Sequence, residues 1–351
     1  MPKETMTPRE RWLAVLNREK PDRIPLDFWG TPEAAEKLCA HLGCDWEEAQ
    51  RRLHIDIPFG VGGRYVGPPI PEGEDVFGVR RQRVDYGTGS YDEVSNAPLA
   101  GYQSVDEIEA NYTWPSPDWW DYSHLPEAMQ GHEHQVVRGG GSEPFLAYKC
   151  LRGEAQAFMD LLMNPDIVHY CLDNLFDLAY ENTLRIFEAI PGVVNITYVA
   201  EDLGGQDSLL FSPEQIREFL LPRMRRMMKL TTEHGSFVFT HTDGAVRDII
   251  PDLITIGTQV LNPIQWVCRG MEREGLKRDF GDELIFHGAM DNQRIIPFGT
   301  VDQVRQEVLD NFRILGKGGG YILCPCHNIQ PVTPPENIVA IYETGYAEGW
   351  Q

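Results

Sequence analysis

Several residues able to bind metal or move protons stand just past short apolar runs of this sequence. They are Glu201, His241, Asp243, His287, Cys326 and His327. Imidazole, carboxylate and thiolate together suit Zn²⁺, which takes four N, S or O ligands and, in catalytic sites, keeps one position open. His241 and Asp243 are two residues apart, so in extended chain their side chains face the same way. Cys326 and His327 are neighbours, so only one of them points inward with that pair. The candidate ligands are therefore His241, Asp243 and either Cys326 or His327, with Glu201 as a fourth ligand or a base. Glu201, His241 and His327 are the candidate catalytic groups. Trp29, Asn262, Gln265 and His287 also follow apolar runs and are candidate substrate-binding residues. The plainer alternative is that Asp243 accepts a hydrogen bond from His241 or a backbone amide and no metal binds.

These residues can meet only if the elements before them lie side by side. Past residue 140, short apolar runs (144–149, 193–199, 236–240, 259–261, 284–286 and 320–323) alternate with stretches of helical period (165–190, 213–234, 246–256 and 301–315). Ser212-Pro213 reads as an N-cap followed by proline in the first turn, and Gly235, Gly257 and Gly316 as helix ends. Strand, helix, strand at this spacing predicts βαβ units and a parallel sheet. A helix over 7–17 and a strand over 24–28 come first. The expected fold is a (β/α)8 TIM barrel forming one domain over 1–351, with catalytic side chains at the C-terminal ends of its strands. Seven strands are identifiable and the eighth is not. The aromatic, glycine-rich region 60–141 reads as an insertion covering one face, docked over the C-terminal rim by Tyr65, Phe77, Tyr86, Tyr91 and Trp114.

Other features read as structural. Trp119-Trp120 belongs to core or lid, 45–48 to a solvated helix face, and Gly318-Gly319-Gly320 to a turn before a strand. No GxGxxG opens a helix and no GxSxG elbow is present.

Composition narrows the partners. The chain has 351 residues and a formal net charge of −22, with 53 acidic against 31 basic side chains. Such a surface repels phosphate backbones and anionic lipid, so neither nucleic acid nor membrane is expected as a partner. No apolar run approaches the ~18–20 residues that span a bilayer, and the polar opening residues lack a signal-peptide pattern. Seven scattered cysteines fit a reducing compartment, so the expected location is cytoplasmic.

The motifs resemble the uroporphyrinogen decarboxylase-like superfamily. Arg9-Glu10-Arg11 through Pro21-Asp22-Arg23-Ile24-Pro25 looks like its N-terminal segment. His327-Asn328-Ile329-Gln330-Pro331 with Thr333-Pro334-Pro335-Glu336-Asn337 is similar to its C-terminal signature. Glu201-Asp202-Leu203-Gly204, His241-Thr242-Asp243-Gly244, Asn262-Pro263 and 276–282 fall between in family order. The resemblance implies a (β/α)8 barrel and one of two activities. One is cofactor-free decarboxylation of a tetrapyrrole. The other is zinc-dependent methyl transfer between a corrinoid protein, which carries cobalamin, and a thiol or similar acceptor. The decarboxylases carry an arginine-rich segment where this chain reads Leu26-Asp27-Phe28-Trp29-Gly30-Thr31, and each buried carboxylate of such a substrate needs a partner. In the methyltransferase pattern His241 matches the histidine, Asp243 stands where the first cysteine would be, and the second falls on His327, beside Cys326. The expectation is a methyltransferase moving a methyl group between a corrinoid protein (methylcobalamin) and a small-molecule donor or acceptor at a zinc site. A metal-independent decarboxylase-like lyase on a carboxylated substrate, or a non-catalytic barrel, are the alternatives.

Overall fold

A computed structural model describes residues 3–85, 87 and 90–351. Its centre is a curled seven-stranded parallel sheet: β1 (Phe59–Val61), β2 (Val137–Ser142), β3 (Ile196–Ala200), β4 (Phe237–His241), β5 (Val260–Asn262), β6 (Ile285–Met290) and β7 (Tyr321–Pro325). Every strand pairs with the next in chain order, and helices make the crossovers. The register sets Ala200 beside His241 and His241 beside Asn262. The residues that follow these three positions therefore emerge on one rim.

At the two edges, further backbone bonds continue the pattern. Asp27 N–H donates to Leu323 O at 2.8 Å and Leu323 N–H to Pro25 O at 3.0 Å. Leu26 bridges Leu323 in parallel, and Asp56 N–H donates to Leu26 O at 2.7 Å. The stretch around Leu26 thus lies between β7 and the residues just before β1. It is locked there by buried charge. Asp56 accepts from Arg11 Nη1 at 2.6 Å, from Arg23 Nη1 at 2.7 Å and from the Leu26 amide at 2.9 Å.

Helix ends follow local chemistry. Thr7, Ser212 and Thr300 each form a capping box with a Glu or Gln three residues on. Helix Pro8–Leu16 packs Trp12, Val15 and Leu16 against Ile196, Val260, Ile285 and Ile322, at or next to the first residues of their strands. Apolar side chains so close the N-terminal end of the sheet's concave side, and the C-terminal end is where chemistry has room.

Two expectations need correction. Residues 144–149 are not a strand but part of helix Pro144–Arg152; Pro144 occupies its first turn, where a missing amide proton costs nothing. The strand at this place is β2, read before as part of the insertion. Its Gly139-Gly140-Gly141 hides it, since glycine is depleted in strands. Gly141 is needed there: φ is +119°, and a Cβ would lie 1.7 Å from Tyr198 O.

The rest of region 60–141 holds two small antiparallel pairs, Arg64–Tyr65 with Trp120–Asp121 and Arg80–Asp85 with Ser90–Asn96. Its anchors run to the helices after β2. Arg152 Nη1 donates to Leu99 O and Tyr102 O, Arg185 pairs with Asp118, and Trp114 Nε1 donates to the Tyr170 hydroxyl. Tyr86 and the side chain of Tyr91 lie outside the described residues.

Candidate metal and substrate site

The C-terminal ends of β3 and β4 bring three side chains together. One donor atom each from Asp202, His241 and Asp243 lies within 4.8 Å of the other two. His241 Nε2 is 3.7 Å from Asp202 Oδ1. One oxygen of Asp202 and one of Asp243 are buried with no hydrogen-bond partner among the described residues. A buried polar atom left unpaired is costly, so two such carboxylate oxygens beside an imidazole nitrogen call for a cation. One nitrogen and two oxygens are a donor set that zinc accepts. The residues therefore fit the metal the sequence motifs imply.

The imidazole is prepared for that role. His241 Nδ1 lies 2.6 Å from Asn262 Oδ1. A carbonyl oxygen only accepts, so Nδ1 carries the proton and the lone pair sits on Nε2. Asn262 Nδ2 then donates to His287 Nδ1 at 2.7 Å, and His287 Nε2 donates to Asp27 Oδ2 at 2.9 Å. Trp29 Nε1 and the Phe28 amide also donate to Asp27. The chain from Asp27 to His241 fixes both histidine tautomers. Asp27, His287 and Cys324 also form a compact group of donors, but Asp27 and His287 spend theirs on each other.

The surroundings are acidic. Burial raises the Asp243 carboxyl above its ordinary range, while His241 pulls it back. Glu143, at the β2 end, is pushed up to about 7 by burial and by the charge of Asp202. Glu201 lies well above the carboxylate range because it is fully buried; its oxygens accept from Phe145 N–H at 3.1 and 3.3 Å.

The structure brings some of the predicted ligands together and leaves others apart. His241 and Asp243 do meet. Asp202 joins them, and Glu201 faces away onto the Phe145 amide. Cys326 is buried, its thiol is pushed well up by that burial, and Sγ donates to Ile264 O at 3.2 Å. His327 is exposed and stands outside the compact group, though its charge reaches Asp243. Among the candidate substrate residues, Trp29 lines the large cleft at the sheet's open end. Asn262 and His287 are fully buried and belong to the chain behind His241. Gln265 accepts from Gly244 N–H at 2.6 Å and so holds the loop after Asp243. Glu143 was missed, although Ser142-Glu143-Pro144 carries the signal of a strand end running into a helix.

A cleft of about 690 Å³ opens beside this group, lined by Asp27, Phe28, Trp29, Trp46, Ile57, Val61, Arg138 and Tyr198 among others. The rings of Trp29 and Tyr198 stand 5.7 and 5.4 Å from the His241 ring, so the cleft leads to the metal-type donors.

The chain thus combines a curled parallel sheet with a group of metal-type donors at its C-terminal rim. Residues 136–347 match the uroporphyrinogen decarboxylase (URO-D) family, and the chain belongs to it. A methylcobamide:CoM methyltransferase, MtaA, from Methanosarcina barkeri is 26% identical over 164 residues, 47% of this chain and 43% of that protein. A uroporphyrinogen decarboxylase from Psychromonas ingrahamii is 26% identical over 208 residues, 58% of this chain and 52% of that protein. The chain thus spans about half the length of these curated relatives. A solved methyltransferase from Methanosarcina mazei superposes with a TM-score of 0.69 at 18% identity, covering 97% of this chain and 99% of that one, which shows a shared fold. Among the described residues, no helix is long and apolar enough to cross a membrane.

Proposed function

We propose that this protein is a methyltransferase that moves a methyl group between a corrinoid protein (methylcobalamin) and a small-molecule donor or acceptor. We place the reaction at a zinc site made by His241, Asp243 and Asp202. The observation that carries this reading is the pair of buried oxygens of Asp202 and Asp243, without hydrogen-bond partners among the described residues, beside Nε2 of His241. Likeness to a methylcobamide:CoM methyltransferase supports the reaction class. The bonds from the Leu26 stretch to Leu323 and Asp56 support closure of the sheet into a complete (β/α)8 barrel as one domain.

Bound zinc would act as a Lewis acid on the oxygen or sulfur of the methyl donor or acceptor. The chain's own residues supply the rest. Asn262 holds the His241 ring with Nε2 outward. Glu143, balanced between its two states near neutral pH, can hold or release a proton at the β2 rim. Trp29 and Tyr198 form apolar walls that keep water from the reacting group. With two carboxylates and no thiolate, this site is harder than a sulfur-rich one and suits an oxygen-bound methyl group.

The alternative in this family is decarboxylation of a polycarboxylate. Arg138 is the one cationic side chain on the cleft wall among the described residues, which disfavours it.

The test is zinc analysis of protein purified without chelator, together with His241→Ala. Near-stoichiometric zinc in the parent and its loss in the variant are expected. Zinc far below stoichiometric after incubation with excess metal would remove the basis of the reading.

A further inference from the structure

We infer that the cleft beside His241 binds a planar aromatic molecule carrying one oxyanion, held by the guanidinium of Arg138. This rests on the reading of the cleft as the substrate site of the methyl-transfer reaction.

The walls set the shape of the occupant. Phe28, Trp29, Trp46 and Tyr198 line it with aromatic rings, and Ile57 and Val61 add aliphatic surface. Aromatic side chains favour offset or tilted contact with a flat ring. About 690 Å³ falls within the usual volume of a small-molecule site.

The charge sets its polar end. The chain carries 22 net negative charges, and the metal-type donors beside the cleft are acidic. Arg138 is exposed, and its side chain forms no hydrogen bond or ion pair with another described residue, although the side chains of most arginines of this chain do. It lines the cleft, and its charge reaches the Tyr198 hydroxyl. The other charged wall residue, Asp27, already accepts from the Phe28 amide, Trp29 and His287. Arg138 is thus the free charged group facing the occupant. Its planar fork matches an oxyanion bidentately, which a lysine does less well.

A carboxylate and a sulfonate would satisfy the same fork, so the probes separate them. The binding of 4-methoxybenzoate, 4-methoxybenzenesulfonate and neutral methoxybenzene is followed by tryptophan fluorescence and calorimetry. The protein is used as purified, without corrinoid, and zinc is measured on the same samples. At least one anion is expected to bind ten-fold or more tighter than methoxybenzene. Arg138→Gln should abolish that preference, and Arg138→Lys should keep part of it. Equal affinity for the neutral and anionic probes, no binding of any probe, or unchanged anion binding in Arg138→Gln would each overturn the inference. Because the readout is binding, a protein that takes up zinc but shows no preference refutes this inference and leaves the metal site standing. Anion preference without zinc does the reverse.

Discussion

Asn262 Oδ1 accepts the Nδ1 proton of His241 at 2.6 Å, from a position where no part of Asn262 is exposed. Strand register makes this contact, because His241 pairs with Asn262 across β4 and β5. The amide holds the imidazole in the tautomer that leaves Nε2 for a metal. Partners behind a metal ligand typically change affinity ~10–100-fold when removed. Asn262→Ala should weaken zinc binding by about that factor, measured by competition with a chromogenic chelator. Unchanged affinity would mean that the ring is oriented by its neighbours Trp29 and Tyr198 instead.

Asp202 and Glu201 are adjacent and chemically alike, yet their environments differ. Asp202→Asn removes a charge beside His241 and should cost at least about ten-fold in zinc affinity with little change in melting temperature. Burial shifts Glu201 toward its protonated form, and its carboxyl accepts from the Phe145 amide. Glu201→Gln keeps that acceptor and should leave zinc affinity within about two-fold, with a stability change under about 1 kcal/mol. The reverse ranking in chelator competition would show that Glu201, not Asp202, holds the ion.

Asp56 joins two arginines, each 1% exposed, to the backbone of the Leu26 stretch. Losing one partner of a buried ion pair leaves uncompensated charge and costs about 3–5 kcal/mol. Asp56→Asn should therefore lower the urea-unfolding free energy by about that amount. A loss below ~1 kcal/mol would mean that Asp22 and Glu4 satisfy both guanidiniums without it. Arg11 and Arg23 thus serve the fold.

Much of this arrangement could be read from residue types alone, and the failures have physical causes. From β3 onward, apolar runs marked the strands, and caps and glycines marked the helices over 213–234, 246–256 and 301–315, within a few residues, because these strands are largely buried on both faces. Helices Arg273–Phe280 and Pro335–Glu348, which lack a side-chain N-cap, were not anticipated. β2 escaped because Arg138 is followed by three glycines, the last of which lies too close to Tyr198 to carry a side chain. His241 and Asp243 were legible because an i, i+2 pair in extended chain keeps one direction. Asp202 was not, since choosing between two adjacent acids needs the residue at which β3 ends. Nor could spacing show that the Cys326 thiol turns to the Ile264 carbonyl.

Glu307 offers a test of burial at a group outside the cluster of Asp202, His241 and Asp243. Its carboxyl is pushed up to about 7, chiefly by burial, although Trp266 Nε1 and the Asp291 amide both donate to Oε1 at 3.1 Å. Its other oxygen is buried without a partner among the described residues. In the unfolded chain a glutamate titrates near ~4.3. Between these values the folded protein holds the proton more tightly than the unfolded one. The group's contribution to stability is therefore fully present below the unfolded pKa, and it is lost as pH rises through about 7. Glutamine keeps the accepting oxygen and cannot ionise. Glu307→Gln should match the parent near pH 4.5 and exceed it at pH 8 by up to about 3 kcal/mol, at ~1.4 kcal/mol for each unit of separation. Urea unfolding of both proteins across this range reads the difference directly. Stability curves that run parallel with pH would show that Glu307 ionises in the folded state without penalty.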